Sequence, residues 1–176
     1  MDRYQKLLES KAKRKRELIG KMFFPRTPVL LLDFSDFSQV KNPDSFTDLL
    51  KGLEAINLTT LVLGANDQED LPTGKHLHYL PPPRRSEAYE AADFVIVMDG
   101  DIVKAWEKGC VPISQLDGDQ TADYNPLREK GNGFYFKSPT KWEVFAAIVR
   151  AMETYQFPYD WENLIREILG SKNQET

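Results

Sequence analysis

The feature that most constrains the fold is a series of short apolar segments, each followed by a polar turn and a helical pattern. Three of these segments are PVLLLDF (28–34), LTTLVLGA (58–65) and DFVIVMD (93–99). Apolar runs of this length, without alternating polar residues, are typical of strands that are buried on both faces. Because such strands alternate with helices, we expect a parallel sheet covered by helices on both sides.

The rest of the chain extends this pattern. Shorter strands are predicted at 77–81, 111–115 and 133–136. Helices are predicted at 2–23, after Asp44, and at 84–92, 101–109, 140–157 and 160–170. The predicted fold is a Rossmann-like, doubly wound α/β domain with a mostly parallel six-stranded sheet, an N-terminal helix and C-terminal helices. Ligands of such sheets bind beyond the carboxyl ends of the strands.

The chain is predicted to contain one folded domain preceded by a helix. We assign residues 1–24 to an amphipathic, linker-like helix, 25–170 to the Rossmann-like domain and 171–176 to a flexible tail. Within the first helix, the charged run KAKRKR (11–16) is expected to face solvent, because the rest of the chain is acidic.

Charge and composition exclude several classes of function. The net charge of −4 over 176 residues gives no general attraction to nucleic acid or to a membrane surface. No apolar run approaches the roughly 20 residues of a membrane span, and the charged N-terminus lacks the pattern of a signal peptide. We therefore expect a cytoplasmic protein that has neither a nucleic-acid partner nor a membrane partner.

The cysteine, histidine and tryptophan residues indicate structural roles rather than cofactor chemistry. One cysteine and two histidines are too few for a cysteine- or histidine-rich metal site, so no cofactor is expected. Cys110 is predicted to be an inert core thiol, and His76 and His78 to be structural. The tryptophans are expected to pack in the core from their helices: Trp106, Trp142 and Trp161.

Five strings in a fixed order carry a resemblance to a known family. They are KAKRKREL (11–18), YEAADFVIVM (89–98), KAWEKGCVPI (104–113), ADYNPLREKGNGFYF (122–136) and IVRAMETYQFPYDWENLIREIL (148–169). Together they resemble the C-terminal, nucleotide-sugar-binding half of GT-B glycosyltransferases of the starch and glycogen synthase type. The resemblance implies a domain that binds ADP-glucose beside an N-terminal half that holds the acceptor glucan, and that transfers glucose with retention and without a metal.

The positions that the resemblance assigns to phosphate binding differ in this chain. Where the family has Gly-Arg after the first strand, this chain has Asp33 and Phe34, and only Lys41 could replace the family's lysine. Of the family's phosphate-binding Thr-Gly-Gly-Leu turn, Gly118 alone is retained, inside LDGDQT (116–121). Lys41 and Gly118 are therefore the candidate nucleotide-binding residues, and the aspartates around them disfavour a phosphate.

The family's acidic motif, which should follow the Ala-Asp-Phe strand, is missing, and Lys104 occupies a further family position. We therefore assign no catalytic residue. The expected function is that of a stand-alone, degenerate domain that has lost catalysis and acts as a binding or interaction module, with weak affinity for ADP or an ADP-sugar. The alternative is the donor-binding half of a split retaining glycosyltransferase, with a protein partner that supplies the acceptor half.

Two further patterns suggest ligand contacts outside the resemblance. Asp99 and Asp101 follow the strongly apolar strand, and two carboxylates at a strand end can bind Mg²⁺ in a phosphoryl or nucleotide-sugar enzyme. The simpler interpretation is that Asp101 caps the next helix. Arg84 and Arg85 are a possible anion contact, or they are exposed near the start of a helix.

Overall fold

The structure is a computed structural model that describes residues 2–20, 26–34, 43–56, 58–65, 71–98, 102–116 and 121–171. Its strands are β1 (Val29–Asp33), β2 (Thr59–Leu63), β3 (Leu77–Leu80), β4 (Phe94–Val97), β5 (Val111–Gln115) and β6 (Phe134–Phe136). Its helices are α1 (Arg3–Ile19), α2 (Pro43–Glu54), α3 (Arg85–Ala91), α4 (Ile102–Glu107), α5 (Lys141–Tyr155) and α6 (Pro158–Ser171), with a short 3₁₀ turn at Pro82–Arg84.

The strands form one six-stranded sheet in the order β3-β2-β1-β4-β5-β6, and every neighbouring pair is parallel. All five residues of β1 and all four of β4 are buried. This explains their uninterrupted apolar sequences, because each face of a central parallel strand contacts a layer of helices. The predicted Rossmann-like, doubly wound class and the six strands are confirmed.

Helices cover both faces of the sheet and divide the core into two clusters. On one face Leu30 and Leu32 of β1 pack with residues of α2, α5 and α6. On the other face Val29 and Leu31 pack with the short α3, whose alanines allow a close approach. In the part of the chain described, none of the helices has the length and apolarity that crossing a bilayer requires.

Helix α1 lies across the amino-terminal edge of the sheet, where β4 and β5 begin. Lys15 is buried and donates to both carboxylate oxygens of Asp93, at 2.6 and 2.8 Å. One turn earlier, Lys11 is also buried and donates to the carbonyl of Ala92 and, at 3.6 Å, to the sulfur of Cys110. The prediction that KAKRKR faces solvent is wrong for these two lysines, because residues four apart share one side of a helix.

Asp93 joins α1 to three strands of the sheet. Its carboxylate also accepts the backbone N–H of Val29, at 2.8 Å, where β1 begins. Its own N–H donates to the carbonyl of Val29, and its carbonyl accepts from Val111 at the start of β5. A charged residue at this depth is tolerated because its carboxylate is paired with Lys15 and accepts the N–H of Val29.

The predicted core position of Trp142 in α5 is wrong. The side chains of α5 that are buried are Val144, Ala147, Ile148 and Ala151. Trp142 precedes the first of them by two positions, which places it on another side of the helix, and it is 75% exposed. Trp106 and Trp161 are buried, as predicted. Gly170 was expected to end the last helix, but α6 continues through it to Ser171.

Residues 122–136, here called the knuckle, form a compact turn followed by strand β6. Asn125 accepts the N–H groups of Leu127 and Arg128, at 3.0 and 3.3 Å, and pairs with Lys130 across the turn. Gly131 has φ +127°, and a Cβ on it would lie 2.6 Å from the carbonyl of Asp123. Gly131 therefore forms the turn, because no side chain fits there.

We predict that Gly131→Ala lowers the free energy of unfolding by about 1–3 kcal/mol, because alanine is strained at this φ and collides with the backbone. Gly170→Ala is the matched control, since its Cβ meets nothing within 4 Å. In the last turns of α6, alanine should leave stability unchanged or raise it by up to about 1 kcal/mol. Urea-induced unfolding measures both values, and equal losses would contradict the assignment.

We also predict that Lys15→Met lowers the free energy of unfolding by about 3–5 kcal/mol, because it leaves the Asp93 carboxylate buried without its cation. Arg14→Met on the same helix is the control. Arg14 pairs with Glu17 and Glu90, but the side chains are about a third exposed. Its loss should lower the free energy of unfolding far less than the loss of Lys15 in the same urea titration. A loss in Lys15→Met as small as that of the control would refute a structural role for the pair.

Candidate functional site

The site expected from the topology is the carboxyl edge of the sheet, where the order of the strands reverses between β1 and β4. Four of the predicted site residues lie outside the described residues: Lys41, Asp99, Asp101 and Gly118. The remaining two, Arg84 and Arg85, are described. After the proline segment 81–83 at this edge, Arg84 ends the 3₁₀ turn and Arg85 begins α3.

Asp33 and Arg85 form an ion pair at the end of the central strand β1. The Asp33 side chain is fully buried, and the Arg85 side chain is 36% exposed. One guanidinium nitrogen lies 2.7 Å from Oδ2 and the other donates to Oδ1 at 3.2 Å, so the contact combines a close ion pair with one hydrogen bond. The positive charge of Arg85 is thus balanced by a carboxylate of this chain.

Arg84 is engaged as well, by a neighbour in its own sequence. Its guanidinium donates to Glu87 at 2.6 Å and 3.0 Å, and both side chains are more than a third exposed. Both predicted anion-contact residues therefore have acidic partners in the chain. Their contact with an external anion remains a prediction.

Two apolar side chains lie near the ion pair at the carboxyl edge, while exposed polar residues end β5 and follow β6. Phe34, directly after β1, packs edge-on against Phe46 of α2, with ring centroids 5.1 Å apart. Leu116, directly after β5, is 49% exposed. The hydroxyl of Ser114 donates to the carbonyl of Val97 at 2.7 Å and so links β5 to β4. This part of the edge presents a neutralised ion pair beside apolar surface.

The Cys110 thiol is buried and the His78 imidazole is half-buried. Cys110 is completely buried and donates to the carbonyl of Tyr89 at 2.9 Å, and burial raises its pKa. This confirms the predicted core thiol. Burial also lowers the pKa of His78, with the neighbouring His76 adding to the effect, so His78 is neutral at neutral pH. Among the residues described, no three His, Cys, Asp or Glu side chains are grouped to hold a metal, and the Asp99–Asp101 prediction stays untested.

Neither of the ion pairs that involve a buried aspartate was predicted from the sequence. Asp33 was noted only as a departure from a family pattern, and no role was assigned to Asp93. A signal was present, because each aspartate interrupts or borders an apolar strand segment, and a buried charge requires a partner. The identity of that partner was not visible in the sequence.

Comparison with known proteins places this fold. No known protein-family profile matches the chain. Among characterised sequences, glycogen synthase 1 of Synechocystis sp. is 36% identical over 63 residues, which is 34% of this chain and 13% of that protein. The similarity in sequence is therefore local and covers a small part of the relative.

Solved structures match over almost the whole chain. The catalytic domain of starch synthase IV from Arabidopsis thaliana, bound to ADP and acarbose, superposes with a TM-score of 0.60 at 18% identity, over 96% of this chain and 41% of that one. The fold is that of one half of a GT-B glycosyltransferase. This confirms the resemblance at the level of fold.

Two other glycosyltransferases agree with this assignment. WaaG, which acts in lipopolysaccharide biosynthesis, superposes with a TM-score of 0.60 at 15% identity, over 92% of this chain and 47% of its own. The spinosyn forosaminyltransferase SpnP gives 0.52 at 17% identity, over 81% of this chain and 39% of its own. The chain thus spans less than half the length of each solved structure.

We predict that Arg85→Gln lowers the free energy of unfolding by about 1–3 kcal/mol, because the fully buried Asp33 loses its cation. Arg84→Gln is the adjacent control and should change stability by no more than about 1 kcal/mol, since its pair with Glu87 is exposed. Chemical denaturation of the two variants provides the measurement. A larger loss in Arg84→Gln than in Arg85→Gln would show that Asp33 does not depend on Arg85.

Proposed function

We propose that this chain provides a GT-B-type domain that binds a ligand or partner and does not itself transfer a sugar. The observation that carries the proposal is the buried Asp33 at the end of β1, paired with Arg85. The family resemblance implies a glycine–arginine pair at this point, which would favour a diphosphate. Here the position carries a negative charge, and the nearest described arginine is already neutralised by it.

Electrostatics explains why this arrangement opposes transfer. In sugar transfer from ADP-glucose, negative charge develops on the departing diphosphate, and its stabilisation by fixed positive charge is usually the largest catalytic contribution. An arginine that is already paired with a carboxylate stabilises a second anion less, and the carboxylate repels phosphate oxygens. The domain would therefore bind a diphosphate weakly and stabilise its departure poorly.

The proposed ligand is ADP or an ADP-sugar at the carboxyl edge, held weakly. Support comes from the superposed starch synthase IV, whose structure contains ADP. Lys41 and Gly118 are the proposed phosphate contacts from the sequence pattern, and Arg84 is a proposed third contact because its pair with Glu87 is exposed. A protein partner is the other proposed occupant of this edge.

A second candidate is the donor-binding half of a retaining hexosyltransferase whose acceptor half belongs to another polypeptide. One observation favours it. The superposition covers 96% of this chain but 41% of starch synthase IV, so the matched region corresponds to one half of that protein. In this case catalysis would appear only when both halves are present.

Calorimetric titration with ADP, ADP-glucose and Mg²⁺ tests these proposals. We expect ADP to bind with a dissociation constant of about 1 mM or weaker. We expect Asp33→Asn to tighten ADP binding by roughly tenfold, because the carboxylate that repels phosphate is removed. Asp48→Asn removes a carboxylate that is 46% exposed and pairs with Lys141, and this control should leave the affinity for ADP unchanged.

The same protein is then assayed for glucose transfer from ADP-glucose to glycogen, and none is expected. Micromolar binding of ADP-glucose, or transfer by this domain alone, would overturn the leading proposal. Transfer that appears only after an isolated acceptor half is added would establish the second candidate. Magnesium binding that disappears in Asp99→Asn would instead support a metal-dependent enzyme.

A further inference from the structure

A cavity of about 680 Å³ lies at the amino-terminal edge of the sheet, opposite the carboxyl edge. We call it the basal cavity. It is bounded by α1, by the connection from α5 to α6, and by Asp93 at the start of β4. The strands that separate it from the carboxyl edge are about five residues long, so the two sites are roughly 13 Å apart. Its volume is in the range of natural small-molecule sites.

One wall of the basal cavity is aromatic. Tyr155 and Trp161 line it, and their rings meet edge to face at 5.0 Å. Behind them, Phe94 of β4 packs against both rings, at 5.9 and 5.3 Å, which holds the two aromatic side chains in place. A fixed aromatic wall of this kind suits the flat apolar part of a ligand.

The mouth of the basal cavity is cationic. Arg16 and Arg26 line it and are exposed, and neither has an ion-pair partner among the residues that the structure describes. The deeper Lys15 is balanced by Asp93, whereas Lys11 adds a further positive charge. Two guanidinium groups beside one cavity favour an anionic group such as a carboxylate or a phosphate.

Hydroxyl donors complete the lining. Tyr4 and Tyr155 both line the basal cavity, and neither hydroxyl is hydrogen-bonded within the described ranges. Burial raises the pKa of Tyr155, and the Asp93 carboxylate raises it further. Burial likewise raises the pKa of Tyr4. Both hydroxyls are therefore protonated at neutral pH and can donate to a bound acceptor.

From this combination we infer that the basal cavity is a second ligand site, which binds a small organic anion that carries a planar apolar ring. The ring lies against Tyr155 and Trp161, and the anionic group pairs with Arg16 and Arg26. This site is independent of the carboxyl edge and of any activity there. It gives the domain a means of binding a small molecule through α1, the helix that closes the sheet at this end.

The test uses three matched probes and the fluorescence of Trp161. The probes are 1-naphthyl phosphate, 1-naphthoate and the neutral 1-naphthol, which share one ring system and differ in charge. We expect saturable changes in tryptophan fluorescence with at least one of the two anions and a weaker response to the neutral probe. Trp161→Phe should remove most of the change, and the relative affinities of the two anions distinguish phosphate from carboxylate.

Variants locate the site. Arg26→Gln and Arg16→Gln should each weaken anion binding by about tenfold or more, because each removes a charge-assisted hydrogen bond. Tyr155→Phe should weaken it less. Arg128→Gln, which removes an exposed arginine on the knuckle, and Arg85→Gln, at the carboxyl edge, should leave it unchanged. Circular dichroism confirms that each variant is folded.

Three results would overturn the inference. The first is the absence of saturable binding of either anion at millimolar concentration. The second is equal affinity for 1-naphthol and the anions, which would mean that the arginines have no role. The third is loss of binding in Arg85→Gln with retention in Arg26→Gln, which would place the ligand at the carboxyl edge.

Discussion

The ion pair between Lys15 and Asp93 is the interaction on which the rest of the structure depends. Asp93 lies where β4 begins, in the middle of the sheet, and its hydrogen bonds reach β1 and β5 as well as α1. Burying either charge alone is costly, so the helix and the sheet edge stabilise each other. The pair attaches α1 to the fold and forms the base of the cavity at this edge.

The parts of the chain that most resemble starch and glycogen synthases are concentrated in this supporting structure. KAKRKREL supplies Lys11 and Lys15, and the Ala-Asp-Phe string supplies their partners Ala92 and Asp93. The knuckle, another part of the resemblance, satisfies its own polar groups and leads into β6. These contacts support the fold. A shared fold and a shared chemistry are therefore separate questions, and the carboxyl edge alone decides the second.

Two aspartates mark the opposite ends of the central strands and have different consequences. Asp93 at the amino-terminal edge pairs with Lys15 and so attaches α1 to the sheet. Asp33 at the carboxyl edge pairs with Arg85. At this edge, a phosphate-binding domain needs unpaired positive charge. The unpaired arginines described in the structure include Arg16 and Arg26, which lie at the basal cavity. Among the described residues, the two arginines beside the carboxyl edge are paired with carboxylates, whereas the two at the basal cavity are not.

The sequence by itself determined the strands, their parallel arrangement and the fold class, because strands buried on both faces require uninterrupted apolar runs and helices between them. Tertiary structure alone decided which charges are buried and which aromatic residues are exposed, as Lys15 and Trp142 show. The physical reason is distance along the chain. Lys15 and Asp93 are 78 residues apart, and Asp33 and Arg85 are 52 apart, so no local pattern reveals either pairing.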